Sequence, residues 1–122
     1  MMRKNEETQF QINLFYKLSR LELERPGLFV YAVEFGGEER KDFGKIRELK
    51  AKGMRKGISD LTVIGNGRIV FLELKTGKGT QQQAQKIFQN KVEQNGFVYM
   101  LARSTEGVEA TIQRVLAALG YQ

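Results

Sequence analysis

The sequence predicts an α/β (α+β) fold, a mixed central β-sheet flanked by helices. Three observations predict it. Helical and strand patterns follow one another in the order helix, strand, short helix, strand, strand, helix, strand, helix. Asn66-Gly67 separates two apolar runs, the strongest short signal for a two-residue hairpin, because both central residues must tolerate φ > 0. Residues 73–101 have a strand–helix–strand pattern, which joins parallel neighbours through a right-handed crossover.

Each element has its own reason. Residues 5–24 carry Phe10, Leu14, Leu18 and Leu21 at spacings of three and four, so one helical face is apolar. Asn5 is a candidate N-cap with acids behind it. Arg25-Pro26-Gly27 ends the helix. Residues 28–35 are aromatic and β-branched and form a strand, closed by Gly36-Gly37. Residues 38–45 are a polar connector and 46–52 a short helix. The hairpin strands occupy 60–65 and 68–75, and both their faces are largely apolar, which predicts cover on each side. A second helix spans 80–95, with Thr80 as cap and Ala84, Ile87, Phe88 and Val92 as its buried stripe. A strand at 97–102 and a helix at 105–119, capped by Ser104 or Thr105, complete the chain.

Composition narrows the chemistry. At 122 residues the chain is expected to be one domain, 1–122. It has no cysteine and no histidine, which removes disulfides, thiolate or imidazole metal sites, and histidine-based triads. Hydrolytic chemistry must therefore run on carboxylates, lysine and a hard metal ion. No apolar run approaches the roughly 20 residues that span a bilayer, and the polar opening Met1-Met-Arg-Lys-Asn-Glu-Glu carries no signal pattern. No membrane partner is expected.

Asp60, Glu73 and Lys75 interrupt the apolar hairpin. If Gly65 pairs with Arg68, paired positions sum to 133, and Asp60 faces Glu73 with Cβ atoms roughly 4.5–5.5 Å apart. Lys75, two residues on, points to the same face. Facing carboxylates repel unless a cation lies between them, so the pair suits a divalent metal. The lysine could orient a nucleophilic water or stabilise phosphate charge. The same residues are equally compatible with the solvated end of a surface hairpin.

Net charge is +6, which suits a polyanion. Eight cations fall between 40 and 56, among them Arg40, Lys41, Lys45, Lys50, Lys52, Arg55 and Lys56, and no acid lies between 50 and 56. This stretch leads directly to Gly57 and Asp60, as expected for capture of a phosphate backbone; a solvated helix face is the plainer alternative. Gly77-Lys78-Gly79-Thr80 is not a phosphate-binding P-loop, because no glycine sits four residues ahead of Gly77 and glycine follows Lys78.

Together, Glu-Thr-Gln-Phe-Gln at 7–11, Gly-Ile-Ser-Asp at 57–60, Glu-Leu-Lys at 73–75, Gln85, and Gly96-Phe-Val-Tyr at the last strand resemble the virus-type replication–repair nuclease (VRR-NUC) domain. This is a branch of the PD-(D/E)XK, or restriction-endonuclease-like, superfamily. The resemblance covers most of the chain and implies a restriction-endonuclease-like core and a metal-dependent DNA endonuclease. It implies Asp60, Glu73 and the Leu74 backbone carbonyl as ligands of Mg²⁺ or Mn²⁺, with Glu7 as a further metal or water ligand. Lys75 would position the attacking water and Gln85 would assist. Lys78 joins the DNA-contacting cations. Ser59 departs from the proline many members carry before the motif aspartate, and Glu6 rivals Glu7. The resemblance further implies branched substrates such as four-way (Holliday) junctions, a homodimer, and a cytoplasmic setting in a bacterium or phage-infected cell. A non-catalytic DNA-binding domain of the same fold and an RNA-directed enzyme are the alternatives.

Overall fold

The computed structural model describes residues 2–33 and 43–122, with side chains from residue 5 onward. The hairpin is its centre. Asn66 and Gly67 both take positive φ, 53° and 73°, the twist that lets a two-residue loop join right-handed strands. The turn sets the register of β2 (Leu61–Gly65) against β3 (Arg68–Lys75). Gly65 pairs with Arg68 and Leu61 with Leu72, antiparallel, so the expected pairing holds along the whole ladder. β1 (Phe29–Ala32) adds antiparallel to β2, and β4 (Val98–Arg103) adds parallel to β3. The mixed sheet has the order β1-β2-β3-β4.

Alternation along the strands divides the sheet into two faces. One carries Val30, Leu61, Val63, Val70, Leu72, Leu74, Met100 and Ala102. Two helices cover it, α1 (Met2–Leu21) with Phe10, Leu14 and Leu18, and α4 (Val108–Ala118) with Ile112, Val115 and Leu116. Removing each such side chain from water stabilises the fold by roughly 1.5–3 kcal/mol. The opposite face carries Phe71, Glu73, Lys75 and Tyr99 and meets α3 (Gln83–Gln94). Phe88 of α3 lies edge-on to Phe71, ring centroids 5.3 Å apart, and 6.2 Å from Tyr99. Among the described residues no helix is long and apolar enough to cross a membrane.

The element ends differ from expectation for identifiable reasons. α1 begins at Met2, so Asn5 lies inside it and is not its cap. It ends at Leu21, where the Glu22 carboxylate turns to accept the Val30 N–H at 2.9 Å. α2 spans Phe43–Ala51, starting earlier than expected, and buries no residue. α3 starts at Gln83, not Thr80, because the Gln82 N–H is satisfied by Gln85 Oε1 at 2.8 Å. α4 follows Gly107, at φ 95°, rather than a serine or threonine cap. β1 is shorter than 28–35, and residues 34 and 35 lie outside the described set. Cover on the second face is incomplete: Ile64, Ile69 and Phe71 are half-buried, and Ile87, expected inside, is 50% exposed.

Candidate functional site

Asp60 sits on the bend that leads into β2, one step beyond the last paired residue. Continuing the register places it opposite Glu73, on the face that carries Lys75. Its Oδ2 accepts the Leu74 N–H at 2.7 Å, which fastens the bend to β3. Glu73 is buried, 2% exposed, among apolar strand residues. Its Oε2 accepts a hydrogen bond from Gln85 Nε2 at 2.5 Å. Its Oε1 is buried without a hydrogen-bond partner among the described residues.

This environment disfavours charge. Burial, then the neighbouring Asp60 charge, push the Glu73 carboxyl up to about 8, against the opposing Lys75 ammonium. Burial also raises Asp60, opposed by the Leu74 N–H, by hydrogen bonding with the Glu73 carboxyl and by the Lys75 charge. Two acids that resist ionising side by side, one with an orphaned oxygen, form a place that a cation would complete.

The second helix and the approach loop hold the pair in position. Gln85 is fixed at both ends, with Oε1 on the Gln82 N–H and Nε2 on Glu73. Gly57, at φ +85°, lies so close to α3 that a Cβ there would stand 2.4 Å from the Ala84 carbonyl oxygen. Only glycine lets the chain pass there and reach Asp60 three residues later.

The other expected site residues distribute as follows. Glu7 is half-buried, and its charge contributes weakly to raising Glu73. Glu6 is engaged elsewhere, accepting the Ser104 hydroxyl at 2.6 Å. Arg40 and Lys41 lie outside the described residues. Lys50, Arg55, Lys56 and Lys78 are exposed. Lys45 and Lys52 both approach Glu48, at 3.8 and 3.3 Å, so part of the basic stretch is internally neutralised.

Two side chains beside the site, Gln81 and Gln89, were not singled out from sequence, and Tyr99 entered only within the Gly96-Phe-Val-Tyr motif, with no role given. Gln81 Nε2 donates to the Tyr99 hydroxyl at 3.1 Å and to Gln89 Oε1 at 2.9 Å. Burial, then the Glu73 charge, raise the Tyr99 hydroxyl, keeping it protonated. The available signal was the strand alternation that puts Tyr99 on the Glu73 face; nothing distinguished Gln81 or Gln89 within a glutamine-rich run.

The donor set fits a hard divalent cation. Mg²⁺ takes one or two protein carboxylates and keeps several waters, and the orphaned Glu73 Oε1 beside Asp60 supplies that pair. Leu74 N–H points to the Asp60 side, and the carbonyl of the same residue leaves a strand on the same edge, so it is directed there too. Among the described residues no group of three or more His, Cys, Asp or Glu gathers at one point. Glu7 is thus not part of a tight acidic cluster.

No family model and no curated protein matches the sequence. The fold does have a known counterpart. A solved structure described as "VRR_NUC domain protein" superposes with a TM-score of 0.70 at 18% identity, over 94% of this chain and 90% of its own. The chain therefore has a VRR-NUC-like fold, a mixed sheet flanked by helices.

Proposed function

We propose that the protein is a Mg²⁺- or Mn²⁺-dependent endonuclease that hydrolyses phosphodiester bonds in branched DNA, four-way junctions among them, in replication, recombination or repair. The observation that carries this reading is the buried Glu73 carboxylate, opposite Asp60 and beside Lys75, with one oxygen unpartnered. The VRR-NUC-like fold supports it.

In this reading Asp60, Glu73 and the Leu74 carbonyl would hold the metal, which would supply charge neutralisation at the phosphate and polarise the attacking water. Gln85 keeps Glu73 in one rotamer through its Nε2 contact. The Lys75 ammonium, on the same face, orients the water and meets the phosphate oxygen. Glu7 adds an acceptor for that water from α1. Lys50, Arg55, Lys56 and Lys78 engage backbone phosphates without reading bases. Paired nicks at a junction require two such sites, hence a homodimer.

The test is incubation of labelled four-way junction, flap, duplex DNA and matching RNA with Mg²⁺, Mn²⁺ or EDTA. Metal-dependent cleavage of branched DNA is expected. Binding without cleavage in either metal would leave a non-catalytic DNA-binding domain, and preferential cleavage of RNA would move the substrate class.

A further inference from the structure

We infer that Arg103 is a positioning residue for Lys75, acting through the turn at 76–79. The inference rests on the reading that Lys75 works at the phosphate. Arg103 ends β4 and is the parallel partner of Lys75, so both leave the sheet on one face. Its guanidinium meets no carboxylate among the described residues. Instead Nη1 donates toward three backbone carbonyls of the next turn, those of Thr76 at 3.2 Å, Gly77 at 3.3 Å and Gly79 at 2.6 Å.

The turn is closed by the Gly79 N–H on the Thr76 carbonyl at 3.2 Å. It folds back over Lys75. A Cβ at Gly79 would lie 3.3 Å from Lys75 Cδ and 3.5 Å from its Cβ, so the lysine stem runs alongside Gly79 in space that a side chain there would crowd. On the other side the turn is blocked, since a Cβ at Gly77 would stand 2.7 Å from Thr105 Cγ2. The Ser104 N–H also donates to the Lys75 carbonyl at 2.9 Å. The guanidinium thus holds the carbonyls of the turn, and the turn flanks the lysine stem at Gly79.

Physical chemistry explains why this matters. A lysine carries an ammonium on a flexible four-carbon stem with large rotamer freedom. Confining the stem narrows the positions open to Nζ, and a misplacement of about 1 Å can lower a rate by about 100-fold. All three contacts come from one nitrogen, whose two N–H groups are shared among the carbonyls, and the rigid guanidinium plane fixes where that nitrogen sits. The Gly77-Lys78-Gly79 sequence, which fails as a P-loop, acquires a role: its glycines let the turn fit between Thr105 and Lys75.

The experiment compares wild type with Arg103→Gln and Arg103→Lys. Junction cleavage yields kcat and KM, binding in EDTA yields Kd and its salt slope, and mass spectrometry follows acetylation of Lys75 relative to exposed Lys86. For Arg103→Gln, kcat falls by about 10- to 100-fold, KM and the salt slope stay put, and Lys75 labelling rises severalfold. Arg103→Lys, which keeps a cationic donor but not the guanidinium's length and plane, falls between. A raised KM and a flatter salt slope with unchanged kcat would overturn the inference and make Arg103 a phosphate contact. A lower melting temperature with unchanged kcat and Lys75 labelling would overturn it as a purely structural brace. If the wild type cleaves nothing, the proposed function fails, while the labelling comparison still decides whether Arg103 confines Lys75.

Discussion

The Asp60 carboxylate accepts the N–H of Leu74 at 2.7 Å, the residue next after Glu73. One short bond thus ties the acid on the bend to the strand that carries its partner. It also distinguishes the charge of Asp60 from its structural use. In Asp60→Asn the side-chain oxygen can still accept that N–H, so the melting temperature should change little. Metal-dependent cleavage should fall by about 100-fold or more, because a charge-stabilising contact worth several kcal/mol is lost. A melt and a cleavage time course on the same preparation check both halves; full cleavage by the variant would remove Asp60 from the site.

Glu73 makes metal-free stability depend on pH. Its carboxyl titrates near 8 in the folded protein against an ordinary 4.5. Between those values the folded state holds the proton that the unfolded state has released, so stability falls as pH rises. It is greatest below about 4.5 as far as this group is concerned and is lost progressively toward 8, by on the order of a few kcal/mol. In EDTA, denaturant midpoints should drop across that range in wild type, and Mg²⁺ at pH 8 should restore them. Glu73→Gln should flatten the slope and abolish the Mg²⁺ effect; an unchanged slope would show that burial of Glu73 does not govern it.

Gly57→Ala tests the seam between the approach loop and α3. The new Cβ meets the Ala84 carbonyl at 2.4 Å and the backbone holds φ +85°. Strain and overpacking together should cost about 2–4 kcal/mol, and the shift of Asp60 relative to Gln85 should depress cleavage as well. Gly53→Ala is the matched control. Its φ is +113° but nothing lies within 4 Å of the added Cβ, so it should carry strain alone. Equal losses in both variants would show that the Ala84 contact is unimportant.

Ser59 is fully buried, and its hydroxyl has no hydrogen-bond partner among the described residues. A buried donor without an acceptor is a liability of about 1–3 kcal/mol. Ser59→Ala removes it at nearly constant shape and should stabilise the protein by about 1 kcal/mol in urea unfolding, with cleavage retained. A destabilised variant would mean that the hydroxyl has a partner in solution.

What was legible from sequence follows from how local each interaction is. The Asn66-Gly67 turn determines its own strand register, so the facing of Asp60 and Glu73 could be derived by counting. The stripe of Phe10, Leu14 and Leu18 declares a buried helix face in the same way. Helix ends were less legible, because they depend on distant partners: Glu22 leaves α1 to serve Val30, and Ser104 bonds Glu6 instead of capping α4. The Gly57–Ala84 approach and the carbonyls gathered by Arg103 left no trace in composition or period. They are backbone contacts, and a backbone carbonyl is the same in every residue.

The packing of α1 against α4 has a consequence for the order of synthesis. Leu14 and Leu18 share their core with Ile112, Val115, Leu116 and Leu119, nearly a hundred residues later in the chain. A ribosome makes α1 long before it makes the surface that buries α1. Until α4 emerges, the apolar stripe of the first helix has only part of its cover. The hairpin can form on its own short loop, but the body that keeps it rigid closes only once α4 has been made. A nascent chain would therefore acquire its carboxylate pair before it acquires the scaffold that α4 completes.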